Sequence, residues 1–165
     1  MEDIEVPTEH LHEEINEHAK EEKKWSLDVA ISTALMAVFA AIASLMAGHD
    51  SNEALIEQIK ASDQWAYYQA KGIKEEIANL ASVKDPVKVS KYKNEQAAIR
   101  KVAEEEEKNS TDFLAQHVLL ARSVTLFQIA IAVSAISIIT NKRILWYFAI
   151  LIAFGGLLFF SSIWL

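Results

Sequence analysis

Cysteine is absent from this 165-residue chain, and glycine and proline are scarce, with 4 and 2 residues. The absence of cysteine excludes disulfide frameworks, thiolate catalysis and cysteine-ligated iron–sulfur clusters. Because helix-breaking residues are few and no stretch alternates between apolar and polar positions, the sequence predicts an all-α protein. Acidic residues outnumber basic ones and give a net charge of −7. This argues against a nucleic-acid partner, which requires a basic surface.

Catalytic signatures are also missing. The sequence contains no Gly-x-Ser-x-Gly, no glycine-rich phosphate loop and no His-Glu-x-x-His motif, each of which places reacting groups by its spacing. We therefore expect a protein that is not an enzyme, uses no cofactor and has no small-molecule substrate.

Apolar residues make up 52% of the chain and are concentrated in three charge-free runs, at 29–48, 123–140 and 144–165. About 20 apolar residues in a helix cover the ~30 Å hydrocarbon layer of a membrane. Aromatic residues suited to the headgroup region lie near the ends of these runs: Trp25, Trp146, Tyr147 and Trp164. The prediction is three transmembrane helices, at 25–48, 118–140 and 144–165, with membrane lipid as a partner.

Basic residues near the three runs predict the orientation, because short loops rich in Lys and Arg stay in the cytoplasm. Five lie on the side of the N-terminus and three on the other side: Lys20, Lys23, Lys24, Lys142 and Arg143 against Lys60, Lys108 and Arg122. The acidic, His-containing segment 1–24 is therefore predicted to be cytoplasmic, and residues 49–117 to lie across the membrane. The length of segment 1–24 favours a retained anchor over a cleaved signal peptide.

The polar stretch 49–117 carries two stripes of residues spaced three and four apart, a pattern typical of helices that pair along a seam. The first is Asn52, Ile56, Ile59, Asp63, Ala66, Ala70, Ile73, Ile77 and Leu80, and the second is Val89, Tyr92, Gln96, Ile99, Ala103, Glu106, Ser110, Phe113 and His117. Between them, residues 82–86 end in Pro86, a turn signal. We expect the stripes to face each other in a long antiparallel, coiled-coil-like hairpin with its tip at 82–86.

Gly48 marks the point where the first apolar run meets this hairpin. Asp50 and Glu53 could cap a new helix there, or one helix could continue from the run into the hairpin. The gradual onset of polar residues after Gly48 favours the continuous helix.

Three segments of the chain, EVPTEHLHEEI, ALIEQIKASDQWAYYQAKGIK and ARSVTLFQIAIAVSAIS, resemble a family of small bacterial membrane proteins known only as a domain of unknown function. The resemblance covers nearly the whole chain. It implies a multi-pass protein of the bacterial inner membrane, and hence a periplasmic hairpin. It implies no activity and no site residues.

Histidines close to carboxylates are candidate metal ligands or pH-sensing groups. In the N-terminal segment, His10 and His18 lie two helical turns apart, and a solvated acidic helix is the alternative interpretation. In the hairpin, the predicted register brings His49 and Glu53 close to His117. The alternative there is that both histidines bond to water and lipid phosphate. The same register places two carboxylates opposite each other, those of Asp63 and Glu106.

Three polar residues fall inside or beside the predicted spans: Asp28, Arg122 and Gln128. Asp28 and Arg122 are close enough to the span ends to reach headgroups. Gln128 is deeper, and we expect it to need an interhelical hydrogen bond, including one to a second copy.

Small residues dominate the first run, where 12 of the 23 residues in 26–48 are Ala, Ser, Thr or Gly. Small residues four apart let membrane helices touch backbone to backbone. The predicted self-association interface comprises Ala37, Ala40, Ala41, Ser44 and Gly48, with Trp65 and Tyr68 on the free surface of the hairpin. We expect a non-catalytic homo-oligomer. The alternatives are a channel lined by Ser32, Thr33 or Ser44, and a metal or pH sensor using His49 and His117.

Overall fold

The computed structural model describes residues 8–81 and 85–164, and the side chains of 14–17, 19–81 and 85–164. Three helices account for almost all of this part of the chain: α1 (Thr8–Leu80), α2 (Pro86–Thr140) and α3 (Arg143–Ser161). No described residue lies in a β-strand. All three helices are long and apolar enough to cross a membrane. The all-α prediction is therefore confirmed.

Helix α1 continues through Gly48 and includes Asp50 and Glu53, so these residues do not begin a new helix. The continuous helix was the expected arrangement, and no proline interrupts it. The chain divides into two compact units. The apolar unit comprises Met1–Ala43 and Arg122–Leu165, and the polar unit comprises Ser44–Ala121.

The core of the apolar unit is formed by all three helices. One cluster of buried residues there consists of Met36, Ala40, Phe127, Ala130 and Ala153, with Ile131 and Ile152 packed against them. The ring of Phe39 stacks on that of Phe127 with 6.0 Å between centroids, an offset typical of aromatic pairs. Small alanines on each helix let the larger side chains interdigitate.

Helices α2 and α3 approach closely at Gly156. A Cβ atom at this position would lie 3.3 Å from the backbone oxygen of Ser123 and 3.3 Å from Cβ of Leu126. The hydroxyl of Ser123 is buried and donates a hydrogen bond to the carbonyl of Gly156 at 2.9 Å. The missing side chain at Gly156 thus permits both the close packing and the bond.

The turn between α2 and α3 is closed by Asn141, which has a φ of 54°. Asparagine tolerates this left-handed conformation better than most residues. The backbone N–H of Lys142 then donates to the carbonyl of Ser137 at 3.1 Å. This bond satisfies one of the carbonyl groups that the end of a helix leaves without an intrahelical partner.

In the polar unit, α2 uses the predicted stripe to pack on α1. Ile99, Ala103 and Ser110 are buried, and the other six members are half-buried: Val89, Tyr92, Gln96, Glu106, Phe113 and His117. The predicted second stripe is confirmed as a packed face of α2.

The prediction that the first stripe forms the packed face of α1 is wrong. All nine of its members are exposed, including Ile59 at 53% and Ile73 at 61%. The face that contacts α2 contains buried Ala54 and Ala61, followed by half-buried residues: Gln64, Trp65, Tyr68, Lys71, Gly72, Glu75 and Ala78. Small residues allow the two backbones to approach, and this close contact outweighs the larger apolar area of the isoleucines.

Candidate functional site

His117 bonds to the backbone of α1 and not to a metal-binding group. Its Nδ1 lies 2.8 Å from the carbonyl oxygen of Ala47, to which the ring N–H can donate. His49 is exposed and Glu53 is half-buried. Within the described residues, no three His, Cys, Asp or Glu side chains lie together as a potential metal site. The structure therefore does not assemble the predicted set of His49, Glu53 and His117.

His10 and His18 lie within α1, but their side chains fall outside the described residues. The metal prediction for these two histidines stays a prediction.

The predicted pairing of Asp63 with Glu106 is wrong, because Asp63 is exposed and belongs to the stripe that faces away from α2. Glu106 is half-buried, and its Oε2 is buried without a hydrogen-bond partner in the described part of the chain. Lys60 donates to Glu57 at 2.6 Å. This bond raises the pKa of Lys60, and the nearby charges of Glu106 and Glu53 raise it further.

Ser110 makes a buried polar contact across the helix pair. Its hydroxyl donates to the carbonyl of Ala54 at 2.8 Å and lies 3.3 Å from Oε1 of Gln58. The sequence-based register placed Ser110 near Ile59. The observed contacts are one to five residues earlier along α1, because α1 turns a different face to α2.

A charged pair joins the two helices farther along the polar unit. Nζ of Lys71 donates to Oε2 of Glu95 at 2.6 Å and lies over the rings of Tyr67 and Tyr92, at 5.1 and 5.7 Å. The hydrogen bond raises the pKa of Lys71 and lowers that of Glu95. Gly72 lies beside this pair, and a Cβ there would lie 2.8 Å from Nε2 of Gln96, at the end of a flexible side chain.

Sequence reasoning missed this cluster because Lys71 and Glu95 lie outside both predicted stripes. A glycine inside a helix is no specific signal for such a contact, because Gly48 also lies inside α1 and no atom comes within 4 Å of the position that its Cβ would take.

Trp65 and Tyr68 were predicted to lie on the free surface of the hairpin, and this placement is wrong. Both are half-buried on the face that contacts α2. Their rings pack edge to face with 5.7 Å between centroids. Only part of each ring is open to a second copy, and their role in self-association stays a prediction.

Most of the predicted small-residue interface remains open. Ala40 is buried in the core of the apolar unit, whereas Ala37 and Ala41 are exposed. In the polar unit, Ser44 and Gly48 are exposed, and no atom lies within 4 Å of the position that a Cβ on Gly48 would take.

The polar residues of the predicted spans lie on the outside of the apolar unit. Asp28, Arg122 and Gln128 are all exposed. Gln128 makes no hydrogen bond to any described residue, and the small residues Ala132 and Ala135 follow it on the same exposed side of α2. If lipid surrounds this amide, a hydrogen bond to a neighbouring helix would stabilise it.

Two of the hydroxyls that the channel alternative placed in a lumen form hydrogen bonds within the chain. Ser32 and Thr33 donate to the carbonyl of Val29 at 2.9 and 2.7 Å, and Nε1 of Trp146 donates to the hydroxyl of Ser32 at 3.0 Å.

Aromatic and charged residues gather at one shallow cavity of the apolar unit, about 250 Å³ in volume. The guanidinium of Arg143 lies over the ring of Trp25 at 5.9 Å. The cavity is lined by Glu21, Lys24, Trp25, Asp28, Arg143, Trp146 and Tyr147.

The residues that build this geometry also match a known family. The sequence profile of DUF4337, described as a domain of unknown function, matches residues 25–89 and 81–165. The chain belongs to this family. The matched segments overlap and include the packed faces of both units. No curated protein and no solved structure matches the chain.

Proposed function

We propose that the chain is a non-catalytic, three-span protein of the bacterial inner membrane that assembles with copies of itself. In this proposal the N-terminus is cytoplasmic, and residues 49–117 form a periplasmic antiparallel hairpin. The assembly is held by small-residue packing between spans and by contacts between hairpins.

Membrane insertion is supported by the outer surface of the apolar unit. Large apolar side chains cover it, among them Ile139, Phe148, Leu151, Phe154 and Leu158, each more than half exposed. Water would penalise such a surface, whereas the hydrocarbon layer accepts it. The Arg143–Trp25 pair beside Trp146 has the mixed basic and aromatic character of residues at the headgroup level.

The antiparallel hairpin is supported by three contacts between α1 and α2. Ala47 contacts His117, Ala54 contacts Ser110 and Lys71 contacts Glu95. As the residue number rises along α1, the number of its partner on α2 falls, which is the order expected of two antiparallel helices.

Self-association rests mainly on Gln128. Its exposed amide lies near the middle of the predicted span 118–140. A polar side chain at that depth gains from a hydrogen bond to another helix, and small neighbours such as Ala132 let that helix approach. Because no described residue of the same chain supplies the bond, a second copy is the simplest source.

The test is the dissociation of the detergent-extracted full chain, measured by native mass spectrometry across protein concentrations. Replacing Gln128 with Leu should raise the dissociation constant by roughly three- to twentyfold, which corresponds to one interhelical hydrogen bond. Ile136→Leu is the matched control, because Ile136 is also exposed on α2 and keeps its apolar character. A wild-type chain that stays monomeric at all concentrations would overturn the proposal.

Conductance of the reconstituted chain in planar bilayers separates the proposal from the channel alternative. We expect no conductance above that of lipid alone. Steady single-channel currents would contradict the proposal and would favour the channel alternative.

A further inference from the structure

The exposed face of α1 in the polar unit carries a regular apolar stripe, here called the outer stripe. Its nine members alternate at spacings of four and three along the helix: Asn52, Ile56, Ile59, Asp63, Ala66, Ala70, Ile73, Ile77 and Leu80. All are exposed, and the four isoleucines and Leu80 range from 44% to 79%. This alternation is the a and d pattern of a coiled coil, maintained over four heptads.

Helix α2 cannot cover the outer stripe, because it packs on the opposite side of α1. If Ile56 and Ile59 occupy positions a and d, the f positions are Ala54, Ala61, Tyr68 and Glu75. These four residues are buried or half-buried, and the f position lies opposite the a/d seam on a helix. The helix therefore has two packing faces, and the chain uses one of them.

We propose that the outer stripe pairs in parallel with the outer stripe of a second copy. This inference rests on the proposed function, since both copies must sit in the same membrane with the same orientation. The outer stripes would then form the contact between hairpins in the assembly.

The spacing indicates the kind of partner. Counted backwards along the sequence, the alternation continues at spacings of three and four through residues that are also exposed: His49, Leu45, Ile42, Val38, Leu35 and Ile31. A partner that matches it must be a helix with an apolar run followed by a polar arm in the same phase. A second copy of α1 is such a helix.

The charges beside the outer stripe permit this pairing. In a parallel, in-register pair, each g residue faces the e residue five positions later on the other copy. This places Leu55 opposite Lys60, Ser62 opposite Tyr67 and Gln69 opposite Lys74. None of these pairs brings like charges together.

Asp63 makes the pairing weak. It occupies an a position and would face the Asp63 carboxylate of the second copy, where the two charges repel. A polar residue at one a position fixes the register of a coiled coil and lowers its stability. Confinement of both copies to one membrane raises their effective concentration and favours the weak contact.

Disulfide trapping tests the proposal, because the chain has no native cysteine. Single-cysteine variants Ala66→Cys and Ala70→Cys of the full chain are oxidised in native membranes. Ala98→Cys on α2 is the matched control, since Ala98 is also exposed. We expect several-fold more disulfide-linked dimer at positions 66 and 70 than at position 98.

The alignment is tested by Ile56→Cys and Ile77→Cys, which lie 21 residues apart on the outer stripe. Both should link to their own counterparts, because only a parallel, in-register pair brings both positions within disulfide reach.

A second measurement removes the repulsion between the two Asp63 carboxylates. Asp63→Ile, combined with Ala70→Cys, should increase the linked fraction. Asp112→Ile with Ala70→Cys is its control, because Asp112 is exposed on α2.

Any of the following results would overturn the inference. Equal linkage at Ala98→Cys would show random collision. An adduct whose mass differs from that of a dimer would show that another protein covers the outer stripe. If native mass spectrometry finds an oligomer but the outer stripe does not link, the inference fails and the proposed function stands. If the chain is monomeric, both the inference and the proposed function fail.

Discussion

Lys71 on α1 donates a hydrogen bond to Glu95 on α2, with 2.6 Å between Nζ and Oε2. The bond lies beside Gly72, where an added Cβ would meet the side-chain amide of Gln96. The bond lowers the pKa of Glu95 and raises that of Lys71. Each pKa shift makes the stability of the polar unit depend on pH.

The pH dependence has a defined sign. Because the pKa of Glu95 is lowered by folding, its contribution is complete above the ordinary glutamate value of about 4.3. It is lost as the pH falls through the lower value. The contribution of Lys71, whose pKa is raised, is complete below about 10.4 and is lost as the pH rises through the higher value.

Replacing Glu95 with Gln should therefore lower the melting temperature at neutral pH and have less effect in acid. Thermal unfolding followed by circular dichroism at a series of pH values measures this difference. Glu104→Gln is the control, because the Arg100–Glu104 pair lies within α2 and joins no second helix. An equal loss for both variants would show that Lys71–Glu95 does not hold α1 to α2.

Ala103 tests the packed face of α2. It is completely buried, so Ala103→Leu should force the helices apart and lower the free energy of unfolding by about 1–3 kcal/mol. Ala98→Leu changes an exposed alanine on the same helix and should stay within about 0.5 kcal/mol of wild type. Denaturant titration of the full chain in detergent compares them, and equal values would contradict the packed face.

Two glycines should respond in opposite directions to alanine. At Gly156 the new Cβ would lie 3.3 Å from a backbone oxygen that cannot turn away, so we expect a loss of about 1–3 kcal/mol. At Gly48 no atom lies within 4 Å, so the isolated chain should gain about 0.5–1 kcal/mol from higher helix propensity.

Gly48→Ala also reports on assembly. If Gly48 is part of the contact between copies, the variant should dissociate more readily in native mass spectrometry while the single chain becomes more stable. Unchanged dissociation would remove Gly48 from the predicted interface.

The orientation can be measured with cysteines introduced at exposed sites. Ala19→Cys precedes the first span, and Ala97→Cys lies in the polar unit; both positions are exposed. In cells with a permeabilised outer membrane, a maleimide that cannot cross the inner membrane should label Ala97→Cys and spare Ala19→Cys. The reverse pattern would invert the proposed topology.

The amount that could be predicted from the sequence differs between the two helices of the polar unit. The stripe on α2 was identified correctly, because that face combines apolar, small and polar residues and α2 has no competing apolar face. Helix α1 has two plausible faces, and the larger side chains of the outer stripe made it the stronger pattern. Close packing through Ala54 and Ala61 decided the matter in favour of the other face.

The candidate sites could not be predicted from the sequence for the same reason. The predicted group of His49, Glu53 and His117 depended on the register, and the register depended on the face of α1. Contacts such as Ser123 with Gly156 connect residues 33 positions apart, and no periodic pattern in either helix predicts such a pair.

Sequence alone determined the helical class, the three apolar runs and the continuation of α1 through Gly48, because these depend on local composition and on the near absence of helix-breaking residues. Tertiary structure decided which side of α1 meets α2, and with it the exposure of the isoleucines and the Lys71–Glu95 bond. The physical reason is that packing depends on how closely two backbones can approach, which is a property of both helices together and of neither one alone.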